Sequence, residues 1–187
     1  MPMRELCAAA FAIVALACAT RAQAQSAYGI GRTATPAEIA GWNIDIDREG
    51  HDLPSGSGTV RRGREVFDQQ CAACHGEKGE GGIGDRLAGG QGTLATPNPV
   101  RTVGSYWPYA TTLFDYIRRA MPQNAPQSLS NDDVYAVSAY ILNLNGLFPA
   151  GGTLDAGTLA AIKMPNRSMF TGDARPDVKN PACMTGC

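Results

Sequence analysis

Cys71-Ala72-Ala73-Cys74-His75 places two thiols and an imidazole within one short run of chain. Two thiols at this spacing can add to the two vinyl groups on one edge of a porphyrin. The imidazole next in sequence then reaches the iron from one face. Cys-x-x-Cys-His is the attachment pattern of c-type haem. The same Cys pair could also serve as a thioredoxin-like dithiol or as half of a zinc site. A dithiol site wants a βαβ setting, and none is visible around residues 71–74. Zinc wants a second ligand pair, and the other candidate pair, Cys183 and Cys187, has no histidine beside it. One such motif predicts one covalently bound haem c.

With His75 on one face, the opposite face needs a ligand. Met121 is the leading candidate: it closes one helical pattern, stands before Pro122 and precedes the final helical stretch. Proline removes a backbone donor and stiffens the loop that presents the sulfur. A thioether favours the ferrous state relative to a second imidazole. Filling an irregular core gap is the ordinary use of a methionine. Met164-Pro165 is the runner-up, Met169 and Met184 lie in the tail, and His51, between Gly50 and Asp52, reads as a solvated loop histidine.

These side chains must be held by regular elements. Val60, Gly63, Phe67 and Cys71 recur at spacings of three and four, which predicts a helix over 59–72 that delivers the cysteines at its end. Residues 79–92 are too rich in glycine for a helix and allow backbone to approach a flat ligand closely. A second helix is expected over 109–120, with Leu113, Phe114 and Ile117 on one side. A third is expected over 131–145, with Val134, Val137, Ile141 and Leu144 as its stripe. Ser130 and Asp133 have the spacing of a capping box, as do Thr35 and Glu38 around Pro36. The helix after Thr35 is expected to end at Gly41, with Trp42, Ile44 and Ile46 alternating in a brief extended segment. From Pro149 on, little periodicity remains and an irregular tail is expected.

The chain has 187 residues and a formal net charge of −1, which argues against a nucleic-acid binder. Arg4, the apolar run Leu6–Ala19 and Ala22-Gln23-Ala24 read as an export signal cleaved after Ala24. The apolar run is shorter than the ~20 residues of a membrane span, so no span is expected after cleavage. Export and covalent haem both point to the periplasm, where a Cys183–Cys187 disulfide is permitted. The expected organisation is a signal peptide at 1–24, an N-terminal arm at 25–58 that wraps the haem domain, a monohaem domain at 59–148 and an irregular extension at 149–187.

The order helix, Cys-x-x-Cys-His, glycine loop, Met-Pro, final helix resembles the class I cytochrome c fold, an all-α architecture. Gly63 and Phe67 match that family's surface for packing against the last helix, with Tyr140 as counterpart. A narrower resemblance covers most of the chain beyond the signal. Residues 34–42, Leu87-Ala88-Gly89-Gly90-Gln91-Gly92-Thr93-Leu94, Gly104-Ser105-Tyr106-Trp107-Pro108-Tyr109, Arg119-Ala120-Met121-Pro122 and Gln127-Ser128-Leu129-Ser130 resemble the cytochrome subunits of Sox sulfane dehydrogenase and of periplasmic sulfite dehydrogenases. That likeness implies a molybdopterin-containing dehydrogenase subunit as electron donor and a downstream cytochrome or oxidase as acceptor. It also places Tyr106 and Trp107 against the haem. Arg86 is the arginine expected to reach a propionate, with Arg101, Arg118 and Arg119 as alternatives. Asp85-Arg86 stand where many class I members have the proline whose carbonyl accepts the proximal histidine's N–H, leaving open which carbonyl serves here. The expected function is one-electron transfer with both axial positions closed. A freely diffusing carrier and a haem enzyme with an open iron are the competing readings.

Overall fold

The computed structural model describes residues 30–172. The signal sequence and the Cys183/Cys187 pair lie outside them. The chain divides into two compact units, Met1–Gly41 and Trp42–Cys187. In the first, α1 (Pro36–Trp42) starts at a complete capping box: Glu38 N donates to Thr35 Oγ1 (3.3 Å), and Thr35 N donates to Glu38 Oε2 (2.8 Å). The helix is short, as the glycine predicts, and ends one residue past Gly41.

The second unit is built on two crossing helices, α2 (Val60–Gln70) and α5 (Asn131–Leu144). Thr59 caps α2 by accepting from Arg62 N (3.2 Å), and Val60, Gly63, Val66 and Phe67 form its buried face. A Cβ on Gly63 would stand 1.8 Å from Ala136 O, so only glycine lets the two backbones meet. One turn further along, Phe67 and Tyr140 stack edge to face at 5.3 Å, as the class I resemblance implies. Such a pair contributes ~1 kcal/mol beyond its burial. Residues 134–142 of α5 are all buried, which makes it the central element.

Ser130 caps α5 by accepting from Asp133 N (3.1 Å). The reciprocal half of the expected box is not made. The Asp133 carboxylate instead accepts from Arg62 Nε (2.9 Å) on the neighbouring helix. α4 (Ala110–Ala120) completes the core with Leu113, Phe114 and Ile117, and Phe114 lies 4.4 Å from the Tyr135 ring.

The segment before α2 lies along these helices. Ile46 enters the core, Thr111 Oγ1 donates to Arg48 O (3.3 Å), Arg119 reaches Asp45 (2.8 Å), and Tyr135 Oη donates to Pro54 O (2.8 Å). The alternation at Trp42, Ile44 and Ile46 does not produce a strand, since Ile46 alone of the three is buried.

Extended structure occurs elsewhere. β1 (Ser57–Thr59) pairs antiparallel with β2 (Thr153–Asp155), in the register Ser57↔Asp155, Gly58↔Leu154, Thr59↔Thr153. A Cβ on Gly58 would sit 2.2 Å from Ala136 N, so this ladder is pressed against α5. The extension expected to be irregular therefore opens with β2 and α6 (Ala156–Ala161). Asp155 and Thr158 form a closed capping box there, and Leu154 and Leu159 are fully buried. Both elements are too short to leave a period in the sequence. No described helix is long and apolar enough to cross a membrane.

Candidate functional site

The Cys pair sits where α2 stops. Cys71 leaves helical geometry (φ −122°, ψ −39°), and its N–H still donates to Phe67 O. The chain re-enters a single turn, α3 (Ala72–His75), which closes with His75 N on Cys71 O (3.0 Å) and Gly76 N on Ala72 O (2.9 Å). Gly76 ends the turn at φ +81°, a conformation that favours glycine. Both cysteines are free thiols, Cys71 half-buried against the core and Cys74 exposed. Burial, aided by the neighbouring Cys74, pushes the Cys71 thiol up to about 11. Among the described residues, no group of three or more His, Cys, Asp and Glu side chains could hold a metal ion, so the zinc reading has no further ligands here.

His75 is gripped from two sides. Its Nδ1 lies 2.6 Å from the carbonyl oxygen of Asp85. A carbonyl only accepts, so Nδ1 carries the proton and Nε2 keeps its lone pair. Gly84 stands over the ring: a Cβ there would lie 2.9 Å from Cε1 and 3.0 Å from Nδ1. The glycine loop folds back on the motif, with Gly81 N on His75 O (2.7 Å) and Gly84 N on Cys74 O (2.9 Å). The carbonyl that the sequence left open is thus that of Asp85. Two free thiols and an imidazole with a fixed tautomer and an available Nε2 fit covalent haem, and a second group orients the ligand as metal-binding histidines require.

Arg86 is engaged within the loop. Its Nε donates to Glu80 O (2.9 Å), while the Glu80 carboxylate accepts from Lys78 N (2.7 Å). These contacts tie the loop to itself and hold the Glu80 carboxyl below its usual range, its main-chain hydrogen bonds being the chief cause. Trp107 is half-buried against the core and meets Tyr116 edge to face at 5.9 Å. Tyr106 is partly exposed, faces Phe170 at 5.4 Å and carries Arg101 over its ring at 5.4 Å. Arg118 and Arg119 bind the segment before α2, at Ile44 O (3.5 Å) and Asp45 (2.8 Å).

Met121 caps the end of α4, where its N–H donates to Ile117 O (3.0 Å), and lies half-buried beside the same core as Cys71, Leu87 and Trp107. Met164 is buried in that core, which accounts for it, and Met169 is 70% exposed. His51 is a solvated loop residue. Its Nδ1 pairs with the Asp47 carboxylate, which raises its pKa above the ordinary value.

Sequence reasoning missed Asn145. Only 7% exposed, it uses every polar atom of its amide. Oδ1 accepts from Gly89 N (3.0 Å) and Gln91 Nε2 (3.3 Å), and Nδ2 donates to Leu87 O (3.1 Å) and Ile141 O (2.9 Å). Gly104 is fitted against it, since a Cβ there would fall 2.2 Å from Oδ1. Thr102 and Ser105 extend the network, through Thr102 Oγ1 on Gly89 O (2.6 Å) and Ser105 Oγ on Val100 O (2.6 Å). An asparagine at the end of an apolar stripe looks like an ordinary helix exit, so no sequence signal marked it.

With this geometry in hand, the comparisons can be read. Residues 60–145 match the Cytochrome c family model. A chain of the sulfane dehydrogenase SoxCD from Paracoccus pantotrophus superposes with a TM-score of 0.73 at 41% identity, covering 85% of this chain and 81% of that one. A thiosulfate dehydrogenase of Stutzerimonas stutzeri (strain A1501) is 31% identical over 91 residues, 47% of this chain. That stretch spans only 28% of the curated relative's length.

Proposed function

This chain belongs to the cytochrome c family, and from that premise we propose that it is a periplasmic monohaem electron-transfer subunit. It accepts electrons from a molybdopterin-containing dehydrogenase acting on sulfane sulfur or sulfite, and passes them to a downstream cytochrome or oxidase. The observation that carries the electron-transfer reading is His75, set one residue after a free Cys pair and locked by the Asp85 carbonyl (2.6 Å). What supports the sulfur-compound partner is the likeness to a SoxCD chain, which reaches well beyond the matched cytochrome residues. Export is supported by Arg4, Leu6–Ala19 and Ala22-Gln23-Ala24.

The attached haem c supplies one-electron chemistry at iron. Cys71 and Cys74 would hold it through their sulfurs, and His75 Nε2 and Met121 Sδ would be the donors to its iron. The Asp85 carbonyl keeps the Nδ1 proton in place, so Nε2 is always the donor atom. With both donors in place the iron would offer substrate no site, and the sulfur chemistry would belong to the partner. On this reading electrons pass through the haem edge near Cys71 and Cys74.

The test is expression of the full chain with its export signal in a host that matures c-type haem. Expected results are one haem per chain by haemochrome absorbance, a mature N-terminus at Gln25 and a ferric sulfur–iron absorption band that vanishes in Met121→Ala. Mixing with a molybdenum sulfite or sulfane dehydrogenase subunit and its substrate should reduce the haem. A haem-free product, or a Met121→Ala spectrum identical to the parent, would overturn the assignment of ligands. Failure of any such dehydrogenase to reduce a correctly loaded protein would overturn the partner.

A further inference from the structure

Asp85, Arg86 and Leu87 are pinned at three successive residues. Asp85 O accepts from His75 Nδ1 (2.6 Å), Arg86 Nε donates to Glu80 O (2.9 Å), and Leu87 N donates to Gly79 O (2.8 Å). The second and third anchors lie within the glycine loop, which is also bound to the motif through Gly81 N on His75 O (2.7 Å) and Gly84 N on Cys74 O (2.9 Å). The tie from this run to the central helix is the Leu87 carbonyl, which accepts from Asn145 Nδ2 (3.1 Å) at the end of α5. Two residues on, Gly89 N donates to the same side chain (3.0 Å). One amide therefore grips the loop on both sides of Ala88 while its own Nδ2 is tied to Ile141 O (2.9 Å) on the buried central helix.

We infer that Asn145 is the positioning residue for the axial histidine. It holds the Asp85 carbonyl in register with His75 Nδ1 by clamping the loop to α5, and so sets how electron-rich the imidazole is. This rests on His75 being the haem ligand. A buried primary amide suits the task, because it offers two donors and an acceptor with two lone pairs in one rigid plane. Alanine would leave the Leu87 carbonyl and the Gly89 N–H without their partner, and buried groups so orphaned cost ~1–3 kcal/mol each. The loop would relax toward other partners and carry Asp85 with it. A firm Nδ1–H···O=C bond raises ligand basicity and favours the ferric state. Loosening it moves the potential upward. Arg86, expected from the sequence to meet a propionate, acts within the same device as the inner anchor of the loop.

The experiment compares Asn145→Ala with Leu154→Ala in the full, haem-loaded chain. Leu154 is fully buried on β2, so its truncation destabilises the fold without touching the loop. Both variants should melt at lower temperature. Asn145→Ala alone should shift the redox equilibrium about tenfold toward the ferrous form, ~59 mV upward for one electron. It should also displace the His75 Nδ1 proton resonance. An unmoved potential in Asn145→Ala, or an equal rise in Leu154→Ala, overturns the inference. If Asn145→Ala does not accumulate, Asn145→Ser carries the same expectation. The unmodified protein supplies a further reading: the His75 Nδ1 proton should exchange with solvent as slowly as the Gly89 amide, and fast exchange of the first with slow exchange of the second overturns the coupling. Absence of haem from the parent chain would instead refute the functional reading itself.

Discussion

The two sides of the proposed haem are held in different ways. On the His75 side, the loop from Gly76 to Gly92 is hydrogen-bonded to itself, to the motif and to the central helix through Asn145. On the Met121 side, residues 122–129 carry two backbone hydrogen bonds, Ala125 N on Pro122 O (2.9 Å) and Ser128 N on Ala125 O (3.3 Å), and none of their side chains is hydrogen-bonded in the described structure. Residues 123–128 are exposed, and Gln127 sits at φ +62°. On the proposed ligation, the contrast suits the two donors. An imidazole has a second nitrogen whose proton must be placed, and it can rotate about its own axis. A thioether has neither demand, so position alone suffices, and the end of α4 with the buried Pro122 provides it.

The contrast makes its sharpest claim about the ligands themselves. His75→Ala should lower the haem-to-protein ratio of the purified chain at least about tenfold. Met121→Ala should leave that ratio unchanged while the sulfur–iron band disappears. Equal haem loss in both variants, read from haemochrome absorbance, would erase the difference between the faces. Next in size is Gly84→Ala, whose new Cβ would press on the imidazole at 2.9 Å. Denaturant titration of the haem-loaded protein should show a loss of ~1–3 kcal/mol. Arg86→Ala removes one bond to a backbone carbonyl and should cost ~1 kcal/mol in the same titration. On the other side, Ser128→Ala should stay within about 0.5 kcal/mol of the parent, since no hydrogen bond is lost with its hydroxyl. A larger loss there than for Arg86→Ala would show that the methionine loop is the stiffer of the two.

Local signals in the sequence carried the helices and the motif. Ser130 caps where its residue type predicts, and Gly63, Phe67 and Tyr140 meet as the class I resemblance implies. What escaped prediction depends on partners far along the chain. The β1–β2 ladder has three residues per strand and joins segments at opposite ends of the domain, so neither strand leaves a period of its own. Asp85 acts through its carbonyl, which every residue type possesses, so its identity says nothing about its role. Asn145 is recognisable only once Leu87 and Gly89 are brought to it. Arg86 has a role its charge does not announce: its Nε donates to a backbone oxygen within the loop.

The ladder between Ser57–Thr59 and Thr153–Asp155 also bears on the order in which the molecule is assembled. The cysteine motif is complete once residue 75 has been made, whereas the ladder must wait for residue 155. Contacts between such distant segments require closure of a long loop and form late relative to local helices. For much of its early life the chain therefore has its thiols in place with the clasp still open. A haem joined to those thiols in that interval would meet a chain whose two strands have not yet paired.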